Sequence, residues 1–179
     1  MNDGLTTGFR RACEHIATRE RYHLRLKAYD PLPARLLIEA YNATVYFLHD
    51  LPGIDPAFAE EVSRGPGWSS NLLTRDPLVI VHNPAHSPAR QEANLMHEFA
   101  HYFLNHPPAE FNLKTKEFTS SQQHENEAKY LGSCLQIPKR GLQWAKQRGM
   151  TMVQIADYFG SSMEIVQWRS NATRLKIPA

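Results

Sequence analysis

A chain of 179 residues with a formal net charge of +2 fits one domain of ordinary size, and its lysines and arginines are scattered, so composition gives no electrostatic reason for a nucleic-acid partner. No apolar run approaches the roughly 18–20 residues that span a bilayer, and the N-terminal stretch "MNDGLTTGFRRACEH" lacks the apolar core of a secretory signal, so the chain reads as cytoplasmic with no membrane association. Cys13 and Cys134 lie far apart in helical patterns, which fits reduced, buried thiols better than a disulfide framework, and neither has zinc-finger spacing.

In chain order, Phe9, Ala12, Cys13, Ile16 and Ala17 recur at helical spacing and predict an amphipathic helix from Gly8 to about Leu26. A short helix is predicted at about Pro33–Tyr41. "ATVYFL" (Ala43–Leu48), "GWSSNLL" (Gly67–Leu73) and "PLVIVH" (Pro77–His82) predict three strands, with turns at "LPGIDP" and "TRDP". From about Ser87 the pattern is helical again: Leu95, Phe99 and Phe103 form one stripe, with Met96, Ala100 and Leu104 beside it. Pro107 and Pro108 cannot continue a helix, so it should stop near Asn105 or His106, and a polar connection follows to about Ser121. Further helices are predicted at about Gln122–Gln136, Pro138–Arg148, Met152–Phe159 and Ser162–Thr173, with Gly149 and Gly160 as breaks. Strands come early and helices late, which predicts one α+β domain over residues 1–179, with a small sheet packed on the helix of residues 87–106 and a mostly helical C-terminal half. Residues 1–28 read as an N-terminal helical extension outside the minimal catalytic core, and 150–175 as a helix-turn-helix-like pair.

The stretch "NLMHEFAHYFLNH" (Asn94–His106) carries the chemistry. Residues four apart on an α-helix stand one turn apart on the same face, so the imidazoles of His97 and His101 can converge on one ion, and Glu98 beside them can take a proton from a metal-bound water. A zinc ion there would lower that water's pKa to about 7. The opposing reading, a core helix that happens to carry these residues, has to bury Glu98 with no partner nearby in sequence.

Catalytic zinc generally takes three protein ligands, so another His, Asp or Glu is required. The metzincin pattern fails, because Leu104 and Pro107 occupy its glycine and third-histidine positions. The acid-rich start of "QHENEAKYLGSCLQIP" (Gln123–Pro138) is the better source. Glu125 shares a face with Ala128, Gly132 and Leu135, whose small members allow a close approach to the motif helix, and it is the preferred ligand. Glu127, on a face with Leu131 and Cys134, stays the alternative.

These paired motifs, with the lead-in "VHNPAHSPARQEANLMHE" (Val81–Glu98), resemble the ImmA/IrrE family of metallopeptidases over roughly Tyr29–Thr173. Its signature is HExxH, then Glu-x-x-Ala before a helix ending in Pro. The resemblance implies a zinc-dependent cytoplasmic endopeptidase with His97, His101 and Glu125 as metal ligands and Glu98 as catalytic base. It also implies a protein substrate, a helix-turn-helix repressor of transcription encoded nearby, in the setting of mobile elements or stress responses. One departure is "LQIP", where Gln136 replaces an apolar residue and disturbs the expected packing.

Other candidates have plainer readings. His106 and His124 read as surface or hydrogen-bonded histidines, with His124 the better placed to face a cleft beside Glu125. Tyr102 and Cys134 read as packing, and Arg90 as a tie at the start of the motif helix. The rival function is a DNA-binding or regulatory zinc protein, because "VQIADYFGSSMEIVQWR" (Val153–Arg169) has helix-turn-helix spacing. Glu164 near the start of the second helix of that pair, with only Arg169, Arg174 and Lys176 as nearby cations, weighs against strong phosphate contact.

Overall fold

The computed structural model describes residues 4–64, 68–112 and 117–178. Its elements are α1 (Thr7–His23), α2 (Ala34–Ala40), β1 (Thr44–Phe47), α3 (Pro56–Arg64), β2 (Ser70–Arg75), β3 (Leu78–His82), α4 (Pro88–Phe103), β4 (Glu110–Asn112), β5 (Glu117–Thr119), α5 (Gln122–Gln136), α6 (Lys139–Gln147), α7 (Met152–Phe159) and α8 (Met163–Thr173). The fold is α+β: a three-stranded mixed sheet lies against α4, and helices dominate the C-terminal half. Gly67, where the predicted second strand begins, and residues 113–116 of the predicted polar connection lie outside the described residues.

The apolar run Leu78–His82 takes the centre of the sheet, parallel to β1 (Thr44 opposite Val79) and antiparallel to β2 (Ser70 opposite His82). β2 is therefore an edge strand, and its register slips between Leu72 and Thr74 as in a bulge. Two elements escape the sequence reading. Residues 57–64, left unassigned after the turn at "LPGIDP", form α3 together with Pro56, and its Ala59 and Val62 pack on Leu48 and Val81. The polar connection after Pro108 contains a hairpin of β4 and β5, with Glu110 opposite Thr119.

The main core joins Met96, Phe99 and Ala100 of α4 to Ala128, Leu131 and Leu135 of α5, with Leu72 and Ile80 of the sheet below. Removing each large side chain from water contributes roughly 1.5–3 kcal/mol, so this shared core is the main force holding α4 against α5. α1 belongs to the same cluster through Cys13 and Ala17, so residues 7–23 are built into the core rather than appended to it. Arg21 of α1 is fully buried and donates to the carbonyls of Leu135 (2.8 Å) and Gln136 (3.2 Å) at the end of α5. The buried Arg169 of α8 donates to the next carbonyl, Ile137, at 2.7 Å and pairs with Glu14, whose other oxygen accepts the Lys139 N–H that opens α6. The orphan carbonyls at the end of α5 are thus met by two guanidinium groups, where a helix terminus favours positive charge. Gln136 is 2% exposed and reaches the Gly160 carbonyl at 3.5 Å, so the polar departure in "LQIP" is accommodated inside the fold.

α7 starts with a full capping box between Thr151 and Gln154 and ends at Gly160, whose φ of +62° suits a residue without a side chain. α8 follows directly, and Ile155, Phe159 and Val166 form a second core with Ile137, Leu142 and Ala145. No helix among the described residues is long and apolar enough to cross a membrane.

Candidate metal centre

α4 begins at Pro88, where a missing N–H costs nothing, and Gln91 anchors the preceding loop by donating to the Pro84 and His86 carbonyls at 3.1 and 2.8 Å. Arg90 reaches back to the Ser69 hydroxyl at 3.3 Å. The apolar stripe of α4 faces α5 and the sheet, which turns His97 and His101 together toward the first turn of α5, where Glu125 stands. His97 Nε2 lies 3.0 Å from His101 Nε2 and 3.1 Å from Glu125 Oε2, and His101 Nε2 lies 3.4 Å from Glu125 Oε1.

These separations test whether the residues fit an ion. Donors held tetrahedrally at zinc bond lengths of about 2.0–2.1 Å stand about 3.3 Å apart, close to the separation of the two imidazole nitrogens and of each from its nearer Glu125 oxygen. Two imidazole nitrogens and a carboxylate crowded on one point are also the donor set zinc takes. The residues fit.

Glu125 is held well below the usual carboxylate range by the His101 and His97 imidazoles set against it, with a bond from Ser120 besides. Burial pulls His97 down, but the bond to Glu125 and the charges of Glu98 and Glu125 outweigh it and hold the imidazole above its ordinary value. Glu98 is 3% exposed and has the partners that its neighbours in sequence do not supply: the Ser70 hydroxyl donates to Oε1 and the Leu72 N–H to Oε2, both at 2.7 Å. Both donors come from β2. All four residues line a cleft of about 370 Å³ between β2 on one side and Pro107, Glu110, Ser121 and His124 on the other.

The end of α4 completes the site in a way the sequence reading did not foresee. The helix stops at Phe103, because Asn105 takes a left-handed conformation (φ +60°) and turns the chain back before the prolines. The Asn105 N–H then bonds Tyr102 O at 3.2 Å and the His106 N–H bonds His101 O at 3.1 Å, the paired bonds of a Schellman ending. That ending lays the residue after Asn105 over the residue three before the cap, so His106 comes down on His101 with their Nδ1 atoms 3.0 Å apart. His106 Nε2 meets Glu127 Oε2 at 3.0 Å, and the His124 ring stacks on His106 at 4.3 Å. His106 is therefore 4% exposed rather than at the surface, and Glu127 faces it instead of the ion site. Burial lowers the His106 pKa, while bonds from Gln123 and His106 outweigh the burial of Glu127 and keep it ionised. The signal lay in Asn105 before His-Pro-Pro, a residue that tolerates the left-handed turn.

Arg75 of β2 was also missed. It donates to the carbonyls of Tyr102 (2.8 Å), His106 (3.2 Å) and His101 (3.4 Å), and its guanidinium sits 5.0 Å from the Tyr102 ring, so Tyr102 packs. Cys134 is buried in the core as a free thiol.

A helix that turns two histidines toward a second helix and a glutamate toward an edge strand, over an open cleft, is the arrangement of the HExxH class of metal sites. Comparison with known proteins narrows this: the family described as the IrrE N-terminal-like domain, a peptidase family, matches residues 56–171, and the chain belongs to it. α1, α2 and β1 precede the matched stretch. No curated protein matches the chain. Among solved structures, a Mycobacterium tuberculosis transcriptional regulator is similar in fold, with a TM-score of 0.54 and 14% identity, over 93% of this chain and 48% of that one. The chain spans about half the length of that protein.

Proposed function

We propose that this chain is a zinc-dependent endopeptidase that cleaves a helix-turn-helix transcriptional repressor in the cytoplasm. The observation that carries the reading is the meeting of His97, His101 and Glu125, whose ligand atoms all lie within 4.8 Å of one another, in the same cleft as a glutamate held by an edge strand. His97, His101 and Glu125 hold the ion. When bound, zinc supplies a water of pKa about 7 and polarises the scissile carbonyl. Glu98 takes the proton of the attacking water on a carboxylate oxygen and returns it to the leaving amine nitrogen. Each of its oxygens accepts one bond from β2, which fixes the carboxylate and leaves further lone pairs for that proton. The free side of β2 bounds the cleft, so an extended substrate segment pairs along it.

The C-terminal pair is scaffold in this reading. Arg169, counted from sequence among the cations open to phosphate, is fully buried against Ile137 and Glu14. The test is co-incubation with the repressor encoded beside the gene, with and without chelator. Cleavage by the wild-type protein, its loss with chelator, and a roughly 100- to 10,000-fold slower rate for Glu98→Gln are expected. A Glu98→Gln protein that cuts at the wild-type rate would remove Glu98 from the chemistry.

A further inference from the structure

His106 and Glu127 take no part in the donor trio, yet they are joined to it through His101. The geometry points to His106 and Glu127 as a positioning pair that sets the tautomer of His101, so that its Nε2 lone pair is delivered to the ion; this rests on the metal-centre reading above. The argument is one of donors and acceptors. Glu127 Oε2, as an ionised carboxylate oxygen, only accepts, so the His106 Nε2 it faces at 3.0 Å carries the hydrogen. In a neutral imidazole the other nitrogen is then bare, so His106 Nδ1 accepts. The atom facing it at 3.0 Å is His101 Nδ1, which must therefore donate. The imidazole hydrogen that Glu125 accepts comes from His97 Nε2, 3.1 Å from Oε2, and His101 Nε2 is left without one, 3.0 Å from His97 Nε2 and 3.4 Å from Glu125 Oε1, as a ligand requires. A single carboxylate thus orders two imidazoles in series.

The surroundings hold the pair in place. Gln123 donates to the other Glu127 oxygen at 2.9 Å, Arg75 grips the His106 carbonyl, and His124 stacks on its ring. His101 and His106 are 7% and 4% exposed, so water competes poorly for their nitrogens.

The test reads tautomer and metal affinity separately. In metal-free protein at about pH 8, where unperturbed imidazoles are neutral, long-range proton–nitrogen correlation spectra should place hydrogen on Nδ1 of His101 and on Nε2 of His106. Glu127→Ala should lose that preference at His101 and weaken zinc roughly 10–100-fold in competition with a chromophoric chelator. Glu127→Gln, whose amide oxygen still accepts, should recover most of the affinity. His106→Phe keeps a ring against His124 but has no nitrogens, and should weaken zinc as Glu127→Ala does. A wild-type spectrum with the His101 hydrogen on Nε2 overturns the proposal, as does wild-type zinc affinity in both Glu127→Ala and His106→Phe. The spectra need no metal, so failure of the wild-type protein to bind zinc counts against the metal centre and leaves the tautomer result readable.

Discussion

Gly132 of α5 lies directly against the backbone of His97: a Cβ at position 132 would stand 3.1 Å from Met96 O and 3.2 Å from His97 Cα. Those distances are inside ordinary van der Waals contact, and the atoms met are backbone, so relief requires α4 and α5 to move apart. The glycine sets the gap across which Glu125 reaches the histidines. Gly132→Val should therefore overpack the interface at a cost of about 1–3 kcal/mol, more than the roughly 1 kcal/mol or less regained by taking glycine out of a helix. Urea unfolding and zinc competition together check this. A valine protein with unchanged stability and unchanged zinc affinity would show that α4 and α5 do not depend on this contact.

Glu125 and Glu127 should separate cleanly in metal analysis. Glu125→Ala removes a donor from the trio and should release most of the zinc and abolish cleavage, whereas Glu127→Ala should still carry zinc when the metal is in excess, because its carboxylate faces His106. Atomic emission on the two purified variants decides it, and the reverse pattern would make Glu127 the ligand.

The full burial of Arg169 predicts the outcome of a DNA-binding assay. With that cation spent on Ile137 and Glu14, the protein should give no salt-dependent shift of duplex DNA in a gel. Arg169→Ala should instead destabilise the fold by about 3–5 kcal/mol, since it strips Glu14 of its cation and the Ile137 carbonyl of its donor. A specific shift lost in Arg169→Ala, with stability intact, would restore the nucleic-acid reading.

Alkaline pH should weaken the fold through Cys13. Burial and the neighbouring Glu14 push its thiol up to about 12. An unfolded thiol ionises near 8.5, so between that pH and about 12 the folded state holds a proton that the unfolded state has lost, and stability falls as pH rises. Cys13→Ala should flatten this alkaline decline in urea midpoints measured at rising pH. An equally steep decline in that variant would assign the effect to other groups.

The sequence by itself determined what depends on one or two turns of helix. Histidines four apart share a face wherever a helix forms, so the pairing of His97 with His101 followed from spacing and from the apolar stripe that makes residues 88–103 helical. The small face of Ala128 and Gly132 likewise selected Glu125, because close approach needs missing side-chain atoms. Tertiary structure alone decided what joins distant segments. Glu98 finds its donors 26 and 28 residues away on β2, where a strand edge happens to pass. The fate of Arg169 depends on Glu14, 155 residues earlier. The β4–β5 hairpin brings two short polar segments together by backbone pairing, which leaves no hydrophobic period to read. The link from His106 to Glu127 needed both levels, since a local turn at Asn105 lays His106 on His101 while only the packing of α5 on α4 sets Glu127 against its far side. Periodicity records the face a residue shares with its neighbours in the helix, whereas a polar side chain's partner is chosen by whichever element the core draws up beside it.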